Sequence, residues 1–296
     1  MEARASLTAI GAARMRAAHL LLDDDPKIFR DDFALRFSGC ESEVSLREDT
    51  SSGLAEIAAK VGPEVAQRVL QAGRAVMIMR SRYTEDALSQ AIANGITRYV
   101  ILGAGLDSFA WRHPQLASRV EVVEVDHPSS QQWKRRRLHE LGIDEPPNLK
   151  FLPIDFETQT LLGGFRDGGY PLDKPAFFSW LGVTQYLTRE TVLDTCKQVA
   201  TLGSGTEISF TFVVPQSLLA HGDQRSLAMA AAAAAARGEP WLTFFEPDEL
   251  TWQLHELGLT RVEHFSPEEA NIRYFAGRRD GLHVPGVEHV MLARVQ

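Results

Sequence analysis

Two cysteines in 296 residues, Cys40 and Cys196, lie far apart and without metal-ligand spacing. That excludes a disulfide framework and a zinc-knuckle pattern, and it points to a reducing cytoplasm. Basic residues are also in deficit: 31 Lys+Arg against 39 Asp+Glu give a formal charge of −8. A nucleic-acid footprint needs a concentrated basic surface, so none is expected. The one basic run, Lys134-Arg135-Arg136-Arg137, falls within an expected helix and reads as a solvated face. Long apolar runs are missing too. Arg14, Arg16 and His19 interrupt the N-terminal apolar residues, which argues against a signal core, and the alanines from Ala230 to Ala236 are too few to cross a bilayer. No membrane segment is expected. What is present, 44% hydrophobic and 24% charged residues, is the composition of an ordinary globular protein long enough for one large α/β domain.

The first third of the chain reads as helical. Apolar residues at Leu7, Ile10, Ala13, Ala17, Leu20 and Leu21 follow helical spacing until Asp23-Asp24-Asp25-Pro26 stops them. Further helices are expected around residues 31–37, 54–61 and 63–80, with a separate one over Thr84–Asn94, capped by Thr84 and stopped by Gly95. From Arg98 onward strands alternate with helices. Strands are expected at Arg98–Leu102, Val120–Val125, Leu149–Ile154, Ala176–Leu181 and Thr206–Val214, with Thr260–Phe265 and Val287–Val295 closing the sheet as an antiparallel edge pair. Ser129 and Gln132 have capping-box spacing for the helix that ends near Gly142. Thr188–Leu202 and Glu246–Leu257 are expected helices as well, the second with Pro247 in its first turn. No internal repeat or low-complexity linker divides the chain, so the expectation is a single domain over 1–296. It comprises a helical region at 1–95, a strand-helix core at 96–296 and an alanine-rich helical insertion at about 216–245.

The stretch around which these elements are organised is RYVILGAGLDSFAWRHPQLASRVEVVEVD, Arg98 to Asp126. An apolar run feeding Gly103-Ala104-Gly105 reads as a buried parallel strand entering a tight turn, where glycine tolerates positive φ and lets a ligand approach the backbone. A second run ends on Asp126, where an acid at a strand tip accepts hydrogen bonds from ribose hydroxyls. Glu124 shares the parity of Asp126 and competes for that role. A dinucleotide fingerprint wants glycine or alanine where Ser108 stands, so a phosphate-free adenosyl ligand fits better than NAD. A turn that serves only the fold is the remaining reading.

ILGAGLDSFAWR, followed by EVDHP, FLPIDF and WLGVTQYL, resembles the leucine carboxyl methyltransferase family, in particular its bacterial branch of S-adenosylmethionine-dependent enzymes. The similarity runs from about Thr8 to the C-terminus. It implies a Rossmann-like seven-stranded methyltransferase sheet with an N-terminal helical cap and a helical insertion after strand five. The N-terminal helices serve equally well as packing material on the residues alone. The resemblance implies S-adenosyl-L-methionine as cofactor, with Arg82 pairing with its methionine carboxylate. Gly103 would let the methionine portion lie against the turn, and Asp126 would hold the ribose. Asp155 and Phe156 would meet the adenine at the end of strand three. Many members carry a glutamate at the tip of strand four, where this chain has Leu181.

Methyl transfer from a sulfonium is an in-line displacement whose donor is already activated, so alignment and exclusion of water dominate. No catalytic motif is obligatory, and no metal is expected. A carboxylate acceptor is ionised at neutral pH, whereas a phenol gains from a base. Tyr186 is the pocket candidate; His221, His255 and His264 are more readily structural, and Arg273-Tyr274-Phe275 would suit either an anionic acceptor or the core. The expected activity is therefore O-methylation of a small-molecule or carboxylate acceptor. A non-catalytic S-adenosylmethionine-binding protein and a nicotinamide-dependent reductase are the alternatives. The oligomeric state is not legible.

Overall fold

The computed structural model describes residues 7–156, 158–171 and 174–296. Four helices come first: α1 (Leu7–Leu22), α2 (Ala34–Phe37), α3 (Glu43–Val61) and α4 (Pro63–Ala93). Strand β1 (Arg98–Leu102) follows, then α5 (Phe109–Arg112), β2 (Glu121–Asp126), α6 (Pro128–Glu140), β3 (Leu149–Pro153), α7 (Leu161–Asp167) and β4 (Phe177–Trp180). The chain continues through α8 (Arg189–Ala200), β5 (Glu207–Val213), α9 (His221–Ala235), α10 (Pro247–Glu256), β6 (Leu259–Phe265), α11 (Pro267–Ala270) and β7 (Glu288–Val295).

Among the described residues the strands form one seven-stranded sheet in the order β3-β2-β1-β4-β5-β7-β6, the Rossmann-like arrangement that the resemblance implies. The first five strands are parallel, and β7 pairs antiparallel with both β5 and β6. The expected edge pair thus forms, with β7 slotted inside β6. Strand order reverses at β1 and β4, so their carboxyl ends open a crevice at a topological switch point.

Alternation along β1 builds two layers on the sheet. Val100 and Leu102 join the core shared with Phe165 of α7, Val192 and Cys196 of α8 and Leu250 of α10. Tyr99 and Ile101 face the other way, toward Leu88 of α4 and Phe109 of α5. Both faces of β4 are buried as well, by Phe178 and Trp180 on one side and Phe177 on the other. Each fully buried aliphatic or aromatic side chain contributes about 1.5–3 kcal/mol, which is why short apolar runs suffice to fix the central strands.

Three local expectations are corrected. The segments 63–80 and 84–94 are one continuous helix of 31 residues, α4. Thr84 does not cap a helix; it is buried inside α4, and its hydroxyl meets that of Ser209 on β5 at 2.9 Å. The cap of α6 is His127, whose Nδ1 accepts from the amide of Ser129 at 3.2 Å. The insertion is ordered mainly as α9, which buries only Leu227 and Ala234.

Candidate functional site

Beyond Leu102 the chain turns through Gly103 and Gly105, both at positive φ, +64° and +47°. The amides of Gly103 and Ala104 donate to the carbonyl of Val125, at 2.8 and 3.2 Å, tying the turn to β2. A Cβ on Gly103 would lie 2.5 Å from Cγ2 of Val183, so this glycine is required by space as well as by conformation. At the tip of β2, Asp126 accepts from the amide of Gly105 at 2.5 Å and from that of His127 at 2.7 Å. Burial raises its carboxyl above the ordinary range against the lowering effect of those two amides.

The turn and Asp126 form one wall of a cleft of about 410 Å³. Ser130 and Trp133 of α6 extend that wall, while Leu181, Gly182, Val183 and Tyr186 face it from beyond β4. Helix α1 supplies Thr8, Ala9, Ala12 and Arg16, and the segment before α10 supplies Glu239, Pro240 and Leu242. The hydroxyl of Thr8 donates to the carboxylate of Glu239, linking these two segments. Helix α1 approaches closely because its residues are small: a Cβ on Gly105 would sit 3.1 Å from the Cβ of Ala9.

Two arginines reach the cleft. Arg16 donates to Asp31 at 2.8 Å and to the carbonyl of Leu106 at 2.7 Å. Arg80 of α4 lies against Gly182, where an added Cβ would be 2.5 Å from its Nη1. That same nitrogen donates to Glu288 at 3.1 Å, and no other nitrogen of this guanidinium has a described partner. Behind the turn, Arg112 joins Asp31 and Glu85, and His113 meets Glu85 at 3.2 Å. Burial acts to raise both carboxyls. It is outweighed at Asp31 by Arg16 and Arg112, and at Glu85 by His113 and Arg112, so both end below their ordinary values.

Of the expected site residues, Gly103, Asp126 and Tyr186 line this cleft. Arg82 does not. Two residues along a helix rotate the side chain by about 200°, which puts Arg82 on the opposite side of α4 from Arg80. There it donates to Asp86 at 2.9 Å and to the carbonyl of Ile28 at 3.2 Å, and it lies 5.5 Å from the ring centre of Tyr274. Arg273 and Tyr274 line the same outer depression, so they too stand away from the cleft, while Phe275 is buried in the core.

Asp155 and Phe156 are also outside the cleft lining. The amide of Asp155 donates to Gln159, and Phe156 packs on the core beside a shallow groove facing α8. Glu124 is fully buried in an ion pair with Lys134, which removes it as a rival to Asp126. None of the three candidate histidines lines the cleft: His255 bonds the carbonyl of Leu259, His264 stacks on His289, and His221 opens α9 on the surface. Leu181 does line it, in the place where the resemblance implies a glutamate. Among the described residues no group of three or more His, Cys, Asp or Glu could hold a metal ion, and no helix is long and apolar enough to cross a membrane.

Sequence reasoning missed Arg80, Arg16 and the close packing of α1. The signal for α1 was the small-residue face Ala9, Ala12 and Ala13; nothing in the pattern distinguished Arg80 from Arg82.

A family model described as leucine carboxyl methyltransferase matches residues 9–200. A Bacillus subtilis protein, YktD, named as a candidate S-adenosyl-L-methionine-dependent methyltransferase, is 33% identical over 94% of this chain and 93% of its own length. Among solved structures, a DUF574 family protein from Streptomyces avermitilis aligns with a TM-score of 0.62 at 14% identity, covering 100% of this chain and 99% of that one. A candidate methyltransferase from Thermobifida fusca aligns at 0.56 and 17%, covering 99% and 96%. At those identities the two structures speak for the fold alone.

Proposed function

The chain belongs to the leucine carboxyl methyltransferase family of S-adenosylmethionine-dependent methyltransferases, and we propose that it methylates an oxygen of a small-molecule or carboxylate acceptor. The observation that carries the reading is the convergence of Gly103, Asp126 and Arg80 on one cleft. The cofactor, when bound, supplies an activated methyl group on a sulfonium. Its residues of attachment follow from chemistry. Asp126, anchored by two amides, retains lone pairs for ribose hydroxyls. The bare Cα of Gly103 admits the methionine portion beside the turn. Arg80, with Nε and Nη2 uncommitted among the described contacts, takes the carboxylate role that the resemblance had suggested for Arg82.

The acceptor would enter past Leu181, Val183, Tyr186 and Leu242, a wall that is apolar apart from the tyrosine hydroxyl. No histidine stands among the described lining residues, which favours an acceptor that is already ionised near pH 7. A carboxylate meets that condition without a base. Tyr186 serves as a wall and a hydrogen-bonding group for the acceptor. Two buried free cysteines, Cys40 and Cys196, suit the reducing cytoplasm we propose as its location.

A second reading, binding without transfer, is favoured by one observation: Leu181 offers no charge to a methionine ammonium. Calorimetry and a transfer assay separate the readings. S-adenosylhomocysteine is expected to bind saturably and NADH not at all. Radiolabelled methyl transfer from S-adenosylmethionine to one or more members of a carboxylate and phenol panel is expected to follow. NADH binding without adenosyl binding would overturn the assignment; tight binding with no transfer across the panel would favour the second reading.

A further inference from the structure

Beneath the Gly103–Asp107 turn lies an ion pair to which the reading above assigns no task. Lys134 on α6 is 2% exposed and Glu124 on β2 is 0% exposed. The ammonium donates to Glu124 Oε2 at 2.6 Å and to the main-chain carbonyl of Asp107 at 2.7 Å, with the ring centre of Trp111 5.2 Å away. Glu124 Oε1 has no hydrogen-bond partner. The other charged groups near Glu124 are Asp107, in the turn, and Asp126, on its own strand. Burial pushes its carboxyl up to about 7, Lys134 works against that rise, and the two aspartates add to it.

Such a pair is a poor way to join α6 to β2. Removing each ion from water costs several kcal/mol, and an apolar pair of similar size often holds as well or better. An apolar pair cannot donate to the carbonyl of Asp107. That residue closes the turn: its amide donates to the carbonyl of Ala104 at 2.8 Å, and its carboxylate accepts from the amide of Phe109 at 2.7 Å. The same turn presents the Gly105 amide to Asp126. We propose that Lys134 is a positioning residue for cofactor binding, holding the Asp107 carbonyl so that the glycine turn and Asp126 keep their mutual geometry, with Glu124 as its buried counter-charge. Lys134 does not reach the cleft lining, so it acts only through the turn.

This inference rests on the cofactor reading above, and its test is built to fail separately. The dissociation constant for S-adenosylhomocysteine and the melting temperature are measured for the wild type, Lys134→Met and the double variant Lys134→Met/Glu124→Leu. The single variant strands a buried carboxylate and is expected to lose both stability and affinity. The double variant removes both charges and is expected to regain most of the lost Tm, while its Kd stays at least about 10-fold weaker than wild type, the scale on which an outer support acts on a binding site. A Kd that returns to within about twofold of wild type along with Tm would make the pair purely structural and overturn the proposal. A double variant that does not fold would overturn it too, by assigning the pair to architecture. Wild-type protein that binds no adenosyl ligand would instead bring down the cofactor reading itself.

Discussion

Helix α4 separates two depressions, and each is lined by arginines. The cleft at the strand tips encloses about 410 Å³ and the outer depression, on the side of Arg82, about 720 Å³. Size alone would favour the outer one. Of the four arginines in the outer depression, two are already hydrogen-bonded, Arg82 by Asp86 and the carbonyl of Ile28 and Arg278 by Asp280 and the carbonyls of Asp24 and Pro26. Arg273 lies over the ring of Tyr274 and Arg279 is exposed, and among the described residues no glycine turn with a strand-tip acid stands beside them. In the cleft, Arg80 commits a single nitrogen to Glu288, and bare glycine backbone lies beside the half-buried Asp126. Charge that is already hydrogen-bonded holds a surface together. Charge with donors to spare, next to backbone that tolerates close approach, is what a ligand can use.

The sharpest way to break this contrast is at the turn. Gly103→Ala puts a methyl group where Val183 stands and holds alanine at a φ of +64°, a conformation L side chains rarely adopt. Backbone strain of this kind costs about 1–3 kcal/mol, and the methyl must also displace Val183, a residue of the cleft wall. The expected result is loss of S-adenosylhomocysteine binding by more than about 100-fold with the protein still folded, read by calorimetry and circular dichroism together. Binding within about threefold of wild type would show that the ligand does not approach the turn. Next in size is Arg80→Ala. A hydrogen bond to a charged group is worth about 1.5–3 kcal/mol, so the Kd should rise about 10- to 100-fold. An unchanged Kd would take Arg80 out of the site.

These two effects also mark where the sequence was readable. The central strands were legible because they are short apolar runs buried on both faces, and Gly103 and Asp126 because a strand-to-turn junction is local chemistry. Arg80 and Arg82 could not be told apart, since the rotational setting of α4 on the sheet is decided by contacts such as Thr84 with Ser209, distant in the chain. The same contact accounts for a threonine in mid-helix, a residue type that reads as a helix cap. Glu124 and Asp126 share a strand face, and only the reach of Lys134 from α6 shows that one is structural and the other open to the cleft. Asp155 and Phe156 were placed by the family resemblance, and here the amide of Asp155 meets Gln159 while Phe156 lines the groove facing α8.

A smaller effect separates the cleft from the far edge of the sheet. His264 on β6 and His289 on β7 stack with ring centres 5.0 Å apart, joined by a 2.8 Å hydrogen bond. Burial, with the neighbouring His264, pushes His289 down to about 4, whereas an unfolded histidine titrates near about 6.5. Between those values the unfolded chain binds a proton that the folded chain does not, so this contribution to stability is full above the upper value and is lost as pH falls toward the lower one. His289→Phe should flatten that part of the profile: the wild-type Tm minus the variant Tm should shrink between pH 7 and pH 5, roughly the window in which histidine titrates. Parallel curves would show that the pair does not titrate with folding. Cofactor affinity should be indifferent to this substitution, since neither ring lines the cleft.

The smallest expected effect is the most pointed test of the comparison. Arg82→Ala removes a helix arginine from a half-exposed i,i+4 pair with Asp86, and such pairs are worth about 0.3–0.5 kcal/mol. Asp86 keeps the hydroxyl of Tyr274 at 2.8 Å, so its carboxylate is not stranded. Tm should therefore shift only slightly, and the Kd for S-adenosylhomocysteine should stay within about twofold of wild type. Because Arg80 and Arg82 sit on one helix, general damage to α4 would weaken binding in both variants. A loss confined to Arg80→Ala can come only from the face that α4 turns toward the glycine turn. A loss of about 10-fold in Arg82→Ala with Arg80→Ala unaffected would mean that the outer depression is the binding site, and the distinction between satisfied and spare guanidinium donors would then have been drawn the wrong way round.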